Sequence, residues 1–220
     1  MWWAGAAITI DKKSLEGLPG QRLLVDRANR RLIAAAPSGV WLFGLDGSVG
    51  DRLPLSADGA ALSADGARIA VWSAGEKARK VTVAEAQRSE TLHTLTVDKG
   101  NIDAALFVGE QLAVRYHQKK RLALFDGRGK QLQRVQAKDL GERGHAVDEL
   151  FALLGGDLLA FTPFPKGMTM LVGWDAQLRG QWKLERFYIG GASALADHGD
   201  RVLFSHSRDS TRLLRLTRAR

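Results

Sequence analysis

Ala61-Leu62-Ser63-Ala64-Asp65-Gly66-Ala67-Arg68-Ile69-Ala70-Val71-Trp72 decides the fold. Two β-prone runs flank Ala64-Asp65-Gly66-Ala67, where Asp and Gly tolerate the positive φ that a tight hairpin turn demands. The segment reads as two antiparallel strands, a and b. The b strand, Ile69-Ala70-Val71, has counterparts at Leu32-Ile33-Ala34, Leu112-Ala113-Val114, Leu159-Ala160-Phe161 and Val202-Leu203-Phe204. A return at a period of roughly 40 to 50 residues is the sequence form of a radial or solenoid all-β array, because each unit has an apolar face that only a neighbouring copy covers.

Beyond each b strand a polar loop leads to a third run, c: Val40 to Leu45, Lys80 to Val83, Arg121 to Phe125, Met168 to Trp174, and Arg212 to Leu216. Three of these end alike, in Leu45-Asp46-Gly47, Phe125-Asp126-Gly127 and Trp174-Asp175-Ala176, which predicts a hairpin turn into a fourth strand, d. The d strands are expected at Leu53–Leu55, Thr91–Val97, Leu132–Val135 and Trp182–Leu184. The segment 146–155 has good helix formers and a Gly stop, but the repeat register places a strand there.

Leu62-Ser63-Ala64-Asp65-Gly66 together with Phe125-Asp126 and Trp174-Asp175 resembles the WD-repeat and YVTN-type β-propeller superfamily, over nearly the whole chain. The resemblance implies an all-β propeller of four-stranded blades. Strict Gly-His and Trp-Asp dipeptides are not regularly present, which leaves the exact family open. The expected architecture is one domain, 1–220, of five blades at about 20–55, 56–98, 99–138, 146–186 and 187–220. The last copy runs out after three strands, so the β-prone residues 6–11 are expected to supply its fourth and close the ring, which removes exposed sheet edges. An open arc completed by another subunit is the alternative.

Composition agrees with a globular domain: 45% hydrophobic and 25% charged residues are ordinary values, with no Pro/Ser-rich linker to divide the chain. The absence of cysteine excludes disulfides, thiol catalysis and Cys-based zinc sites. The apolar start, Met1 to Ile8, lacks a leading basic region and meets Asp11-Lys12-Lys13, which is neither a signal-peptide nor a membrane-span pattern. A cytoplasmic protein without a membrane partner is expected.

Searches for chemistry return little. GxGxxG, GxxxxGK[ST] and GxSxG are all absent, so no cofactor is expected and no catalytic residue is assigned. The histidines are scattered; His198 and His206 face each other across an expected hairpin but lack further ligands, so no metal site is assigned. Asp-Gly pairs such as Asp58-Gly59 and Asp65-Gly66 read as turns, not calcium loops. Asp58, Asp103 and Asp148 precede their b strands at similar distances and would gather at one mouth of the propeller; five-bladed glycosidases place carboxylates in this way, which makes a glycan-binding or glycan-cleaving propeller a weaker alternative. Trp41, Trp72, Trp174 and Trp182 are not equivalent from copy to copy and read as packing residues.

The net charge is +8. Its excess concentrates in the b/c loops of the second and third copies, at Lys77, Arg79, Lys80, Lys119, Lys120 and Arg121, whereas the d/a loops carry acids. Such a patch attracts phosphates or an acidic protein surface. The sequence therefore points to a non-enzymatic propeller acting as a protein–protein interaction scaffold within a larger assembly, with a nucleic-acid-binding propeller as the alternative.

Overall fold

The structure, a computed structural model, describes residues 22–26, 29–44, 48–55, 57–73, 79–88, 90–97, 100–116, 121–136, 149–152, 158–164, 168–179, 182–187, 195–198, 201–207 and 210–215. These residues form antiparallel sheets in which consecutive strands are hydrogen-bonded neighbours. The first sheet contains β1 (Arg22–Asp26), β2 (Arg31–Ala36), β3 (Gly39–Gly44) and β4 (Val49–Leu53). The second contains β5 (Gly59–Leu62), β6 (Arg68–Trp72), β7 (Lys80–Glu85) and β8 (Thr91–Thr96). In the third are β9 (Ile102–Val108), β10 (Gln111–Tyr116), β11 (Arg121–Phe125) and β12 (Gln131–Gln136). The fourth has β13 (Glu149–Ala152), β14 (Leu158–Phe164), β15 (Met168–Trp174) and β16 (Trp182–Phe187). Among the described residues the fifth has three strands, β17 (Leu195–His198), β18 (Arg201–Ser207) and β19 (Ser210–Arg215). Residues 6–11 lie outside the described residues.

Each repeated apolar triplet occupies the second strand of its sheet. In β2, β6 and β10 every residue after the first is buried, which is why these strands read as unbroken apolar runs and not as alternating ones. Outer strands are the opposite. In β12 the first four residues are exposed, and in β8 only Leu95 is fully buried.

The chain divides into two compact units, Met1–Ala105 and Leu106–Arg220. In the first, β5 lies against β1 and β2, and Ile33, Val40, Leu42, Leu53, Ile69 and Val71 share one core with small alanines between them. In the second, Val108, Ala113, Leu122 and Leu124 of the third sheet pack with Trp174 and Leu178 of the fourth. Trp174 and Trp72 are thus packing residues, and the Trp72 ring fills the space a Cβ at Gly59 would need. Trp41 is half-buried and carries the Arg52 guanidinium over its ring at 5.3 Å.

The segment 149–152 is a strand despite its helix formers, because Glu149 to Ala152 pair in register with Phe161 to Leu158. One strand differs from expectation. The first sheet's fourth strand is Val49–Leu53, not Leu53–Leu55. Pro54 has no N–H to continue the ladder, and Leu55 N–H turns back to the Leu53 carbonyl at 2.8 Å. The strand therefore stops where the sequence reading began it.

Candidate functional site

The turns that organise the sheets consume most of the conspicuous polar residues. In the β5/β6 hairpin the buried Ser63 hydroxyl donates to Asp65 Oδ1 at 2.5 Å and accepts the Arg68 N–H at 2.9 Å, while Asp65 Oδ1 also accepts the Ala67 N–H at 3.0 Å. Gly66 has φ +69°, the left-handed conformation this turn requires. The Ser63 hydroxyl first, then the Ala67 N–H and the Arg68 charge, hold the Asp65 carboxyl below its usual range, with desolvation opposing them.

Two turns of the second unit share one construction. Asp126 Oδ1 accepts the N–H groups of Arg128 (2.9 Å) and Lys130 (2.8 Å); Asp175 Oδ1 accepts those of Gln177 (3.0 Å) and Arg179 (2.7 Å). The Lys130 and Arg128 amides, in that order, lower the Asp126 pKa. Both turns need a left-handed residue at their fourth position. One uses Gly129, at φ +81°, and the other Leu178, at φ +58°, whose side chain is buried against Trp174. Left-handed backbone costs a non-glycine residue ~1–2 kcal/mol. Burial of the leucine offsets it, since a buried Leu contributes ~1.5–3 kcal/mol.

A further network joins the first two sheets. Asp26, 1% exposed at the end of β1, accepts Arg31 Nε at 2.5 Å, Asn29 N at 3.1 Å and Asn29 Nδ2 at 3.0 Å. Arg31 Nη2 then reaches the Gly66 carbonyl at 3.0 Å, and Asn29 Nδ2 reaches the Asp65 carbonyl at 3.5 Å. This staple was not singled out from the sequence. Its signal is Asp26-x-x-Asn29, an Asp whose side chain caps its own turn, followed by Arg31.

Of the basic residues expected to form one patch, Arg79 and Lys80 are exposed at the start of β7, and the half-buried Arg121 opens β11. Lys77, Lys119 and Lys120 lie outside the described residues. Of the acids, Asp58 is exposed and Asp103 half-buried on β9, while Asp148 lies outside the described residues. His198 and His206 do not face each other: His198 pairs with Arg201, which leaves His206 beyond the paired β17 residues. Among the described residues no group of three or more His, Asp or Glu could hold a metal, and no helix is long and apolar enough to cross a membrane.

Among the described residues three large apolar side chains are also exposed: Val25 on β1, Leu92 on β8 and Leu132 on β12. Leu124 pairs with Gln133 and Phe125 with Gln131, so Leu132 is the extra residue of a β-bulge. The second sheet repeats this: Val83 pairs with His93 and Ala84 with Thr91, which makes Leu92 the extra residue. A bulge re-aims side chains, and these two leucines are 47% and 46% exposed. These outer-strand leucines at equivalent bulges, one in each unit, are candidate contact residues.

Repeated antiparallel sheets with a buried second strand are the building pattern of a β-propeller, and the solved structures this chain resembles share that fold. Among solved structures, the chain is similar to the β-propeller domain of Cps50 (Swd1) from Myceliophteria thermophila, with TM-score 0.68 and 17% identity over 91% of this chain and 67% of that one. It is also similar to hydrazine synthase from Kuenenia stuttgartiensis, with TM-score 0.62 and 15% identity over 94% of this chain but only 59% of that one. At these identities the likeness is one of fold. No protein-family model matches the chain, and no curated protein matches it in sequence.

Proposed function

We propose that the protein is a non-enzymatic β-propeller that serves as a protein–protein interaction scaffold, a subunit of a larger cytoplasmic assembly. The observation that carries this reading is the pair of exposed bulge leucines, Leu92 and Leu132, on strands that are the last of their sheets among the described residues. Exposed sheet edges with apolar side chains are docking surfaces or aggregation hazards, and an assembly subunit covers them. The carboxylates of Asp26, Asp65, Asp126 and Asp175 hold turns together, which favours a structural role for them over acid–base work. The fold itself does not choose, since one propeller neighbour is a named enzyme.

In this reading the blades are 20–55, 56–98, 99–138, 146–186 and 187–220, with 6–11 completing the fifth. Deleting residues 1–12 should lower the thermal midpoint; an unchanged midpoint in a monomeric product overturns the closure. The function is tested by isolating the tagged full chain at native expression level and measuring its mass by light scattering. A stoichiometric complex with a defined protein is expected, and a lone monomer refutes the scaffold.

Exposed Arg79 and Lys80 on a chain of net charge +8 favour a second reading, nucleic-acid binding. Retention of nucleic acid that weakens steeply with salt, and is reduced by reversing both charges, distinguishes it from the first.

A further inference from the structure

We infer that a cleft in the 106–220 unit docks a short peptide segment in which a leucine-sized apolar side chain adjoins a carboxylate. This rests on the scaffold reading and names its contact. The cleft encloses about 240 Å³ and is lined by Gln111, Leu124, Leu132, Gln133, Gln177 and Arg179. Its walls come from the third sheet and from the turn after β15. Gln111 opens β10, Leu124 lies on β11, Leu132 and Gln133 lie on β12, and Gln177 and Arg179 belong to the Asp175 turn.

Adjacent strand residues ordinarily point to opposite faces. Leu132 and Gln133 nevertheless line the same cleft, because the bulge at Leu132 breaks the alternation. The deformation of β12 therefore builds the cleft wall.

Size narrows the occupant. Small-molecule and cofactor sites span roughly 300–1,000 Å³; this cleft is smaller and matches one side chain. Chemistry narrows it further. Half-exposed Leu132 supplies the apolar wall for an aliphatic side chain, with the fully buried Leu124 behind it. Gln133 and Gln177 are exposed amides able to bond both a peptide N–H and a peptide carbonyl. Gln111 Oε1 is buried with no hydrogen-bond partner, a costly state that is relieved if the amide rotates toward the cleft and accepts a peptide N–H.

Arg179 sets the charge. Its backbone N–H is held by Asp175 Oδ1 at 2.7 Å, while the residue itself is exposed. That carboxylate oxygen also takes the Gln177 N–H, so the nearby acid is engaged by its own turn. An exposed guanidinium beside an apolar cleft selects a carboxylate next to the buried side chain.

The test uses the ¹⁵N-labelled full chain titrated at millimolar concentration with the capped peptides acetyl-Ala-Leu-Glu-Ala-amide and acetyl-Ala-Glu-Leu-Ala-amide. Saturable shifts are expected at the side-chain amides of Gln111, Gln133 and Gln177 for at least one of them. Replacing the peptide Leu by Ala should weaken binding about tenfold, and Glu by Gln about threefold. The variant Arg179→Glu should invert the preference toward a Lys-containing peptide, which a loss of folding would not do. Leu132→Ser, at an exposed position, should abolish saturation while leaving the spectrum dispersed.

No saturable shift at these amides, equal shifts with a Gly-Ser control peptide, or unchanged charge preference in Arg179→Glu overturns the proposal. The scaffold reading is separable. If no peptide binds saturably while the wild-type chain is recovered in a stoichiometric complex, the cleft is refuted and the scaffold stands. If the peptides bind but the wild-type chain is always a lone monomer, the cleft stands and the scaffold fails.

Discussion

Gly66→Ala and Gly109→Ala make a matched pair. Both glycines have positive φ, +69° and +58°, so an added Cβ imposes the same left-handed backbone cost of ~1–2 kcal/mol at each. Around Gly109 nothing lies within 4 Å of that Cβ, whereas at Gly66 it would collide with Asn29 Nδ2 and Asp26 Oδ1. The exposed Asn29 side chain can turn aside, but Asp26 cannot. Asp26 is 1% exposed and held by Arg31 at 2.5 Å and by two Asn29 nitrogens. Displacing it weakens at least one bond to a charged group, about 1.5–3 kcal/mol. Gly66→Ala should therefore cost about 2.5–5 kcal/mol and Gly109→Ala only about 1–2. Against a typical total of about 5–15 kcal/mol the first is a severe loss. Urea titrations followed by circular dichroism and tryptophan fluorescence measure both, provided the two probes report one transition. If the two variants agree within about 0.5 kcal/mol, the scatter of neutral surface changes, the staple does not have the rigidity assigned to it.

Leu178 gives an inverted Gly/Ala order: Leu178→Gly loses burial but relieves the left-handed backbone, whereas Leu178→Ala loses burial and keeps it, so Gly should be the more stable variant by about 1 kcal/mol in denaturant titrations. Ser63→Ala removes the acceptor of the Arg68 N–H and should lower stability by about 1–2 kcal/mol; an unchanged urea midpoint would show that the hydroxyl does not support the turn. Asp65 and Asp126 both have pKa values lowered from 3.8, so the unfolded chain takes up protons first as pH falls. Their stabilising contribution is complete above pH 3.8 and is lost as pH drops through the lower folded values; thermal melts should show a decline below pH 3.8 that Asp126→Asn makes shallower.

The second strands were legible because burial on both faces forces a continuous apolar run, as in Ile69-Ala70-Val71. The β5/β6, Asp126 and Asp175 turns were legible because each carries an Asp whose carboxylate accepts backbone N–H groups of its own turn. The left-handed residue that completes the last two was not legible. Leu178 occupies Gly129's role through packing, and no local pattern marks it as left-handed. The fourth strand of the first sheet was displaced because Leu53-Pro54-Leu55 looks apolar, while Pro54 ends the ladder that the turn had already begun. Outer-strand bulges were invisible for a related reason: an extra residue shows only when two strands are aligned. Charge is therefore the surface signal the sequence carries, while nothing local marks the leucines at positions 92 and 132 as exposed.

The staple of Asp26, Asn29 and Arg31 restricts how freely repeats of this protein can be exchanged. A repeat array suggests interchangeable parts, yet the second sheet's turn is read from outside by its predecessor, through the carbonyls of Asp65 and Gly66 and the missing Cβ at Gly66. A graft of another repeat into this position must carry that carbonyl geometry and that bare Cα with it. Duplication of a single unit elsewhere in the chain would separate the two halves of the lock. The module that can be inherited, shuffled or engineered here is the stapled pair of sheets, not the single sheet.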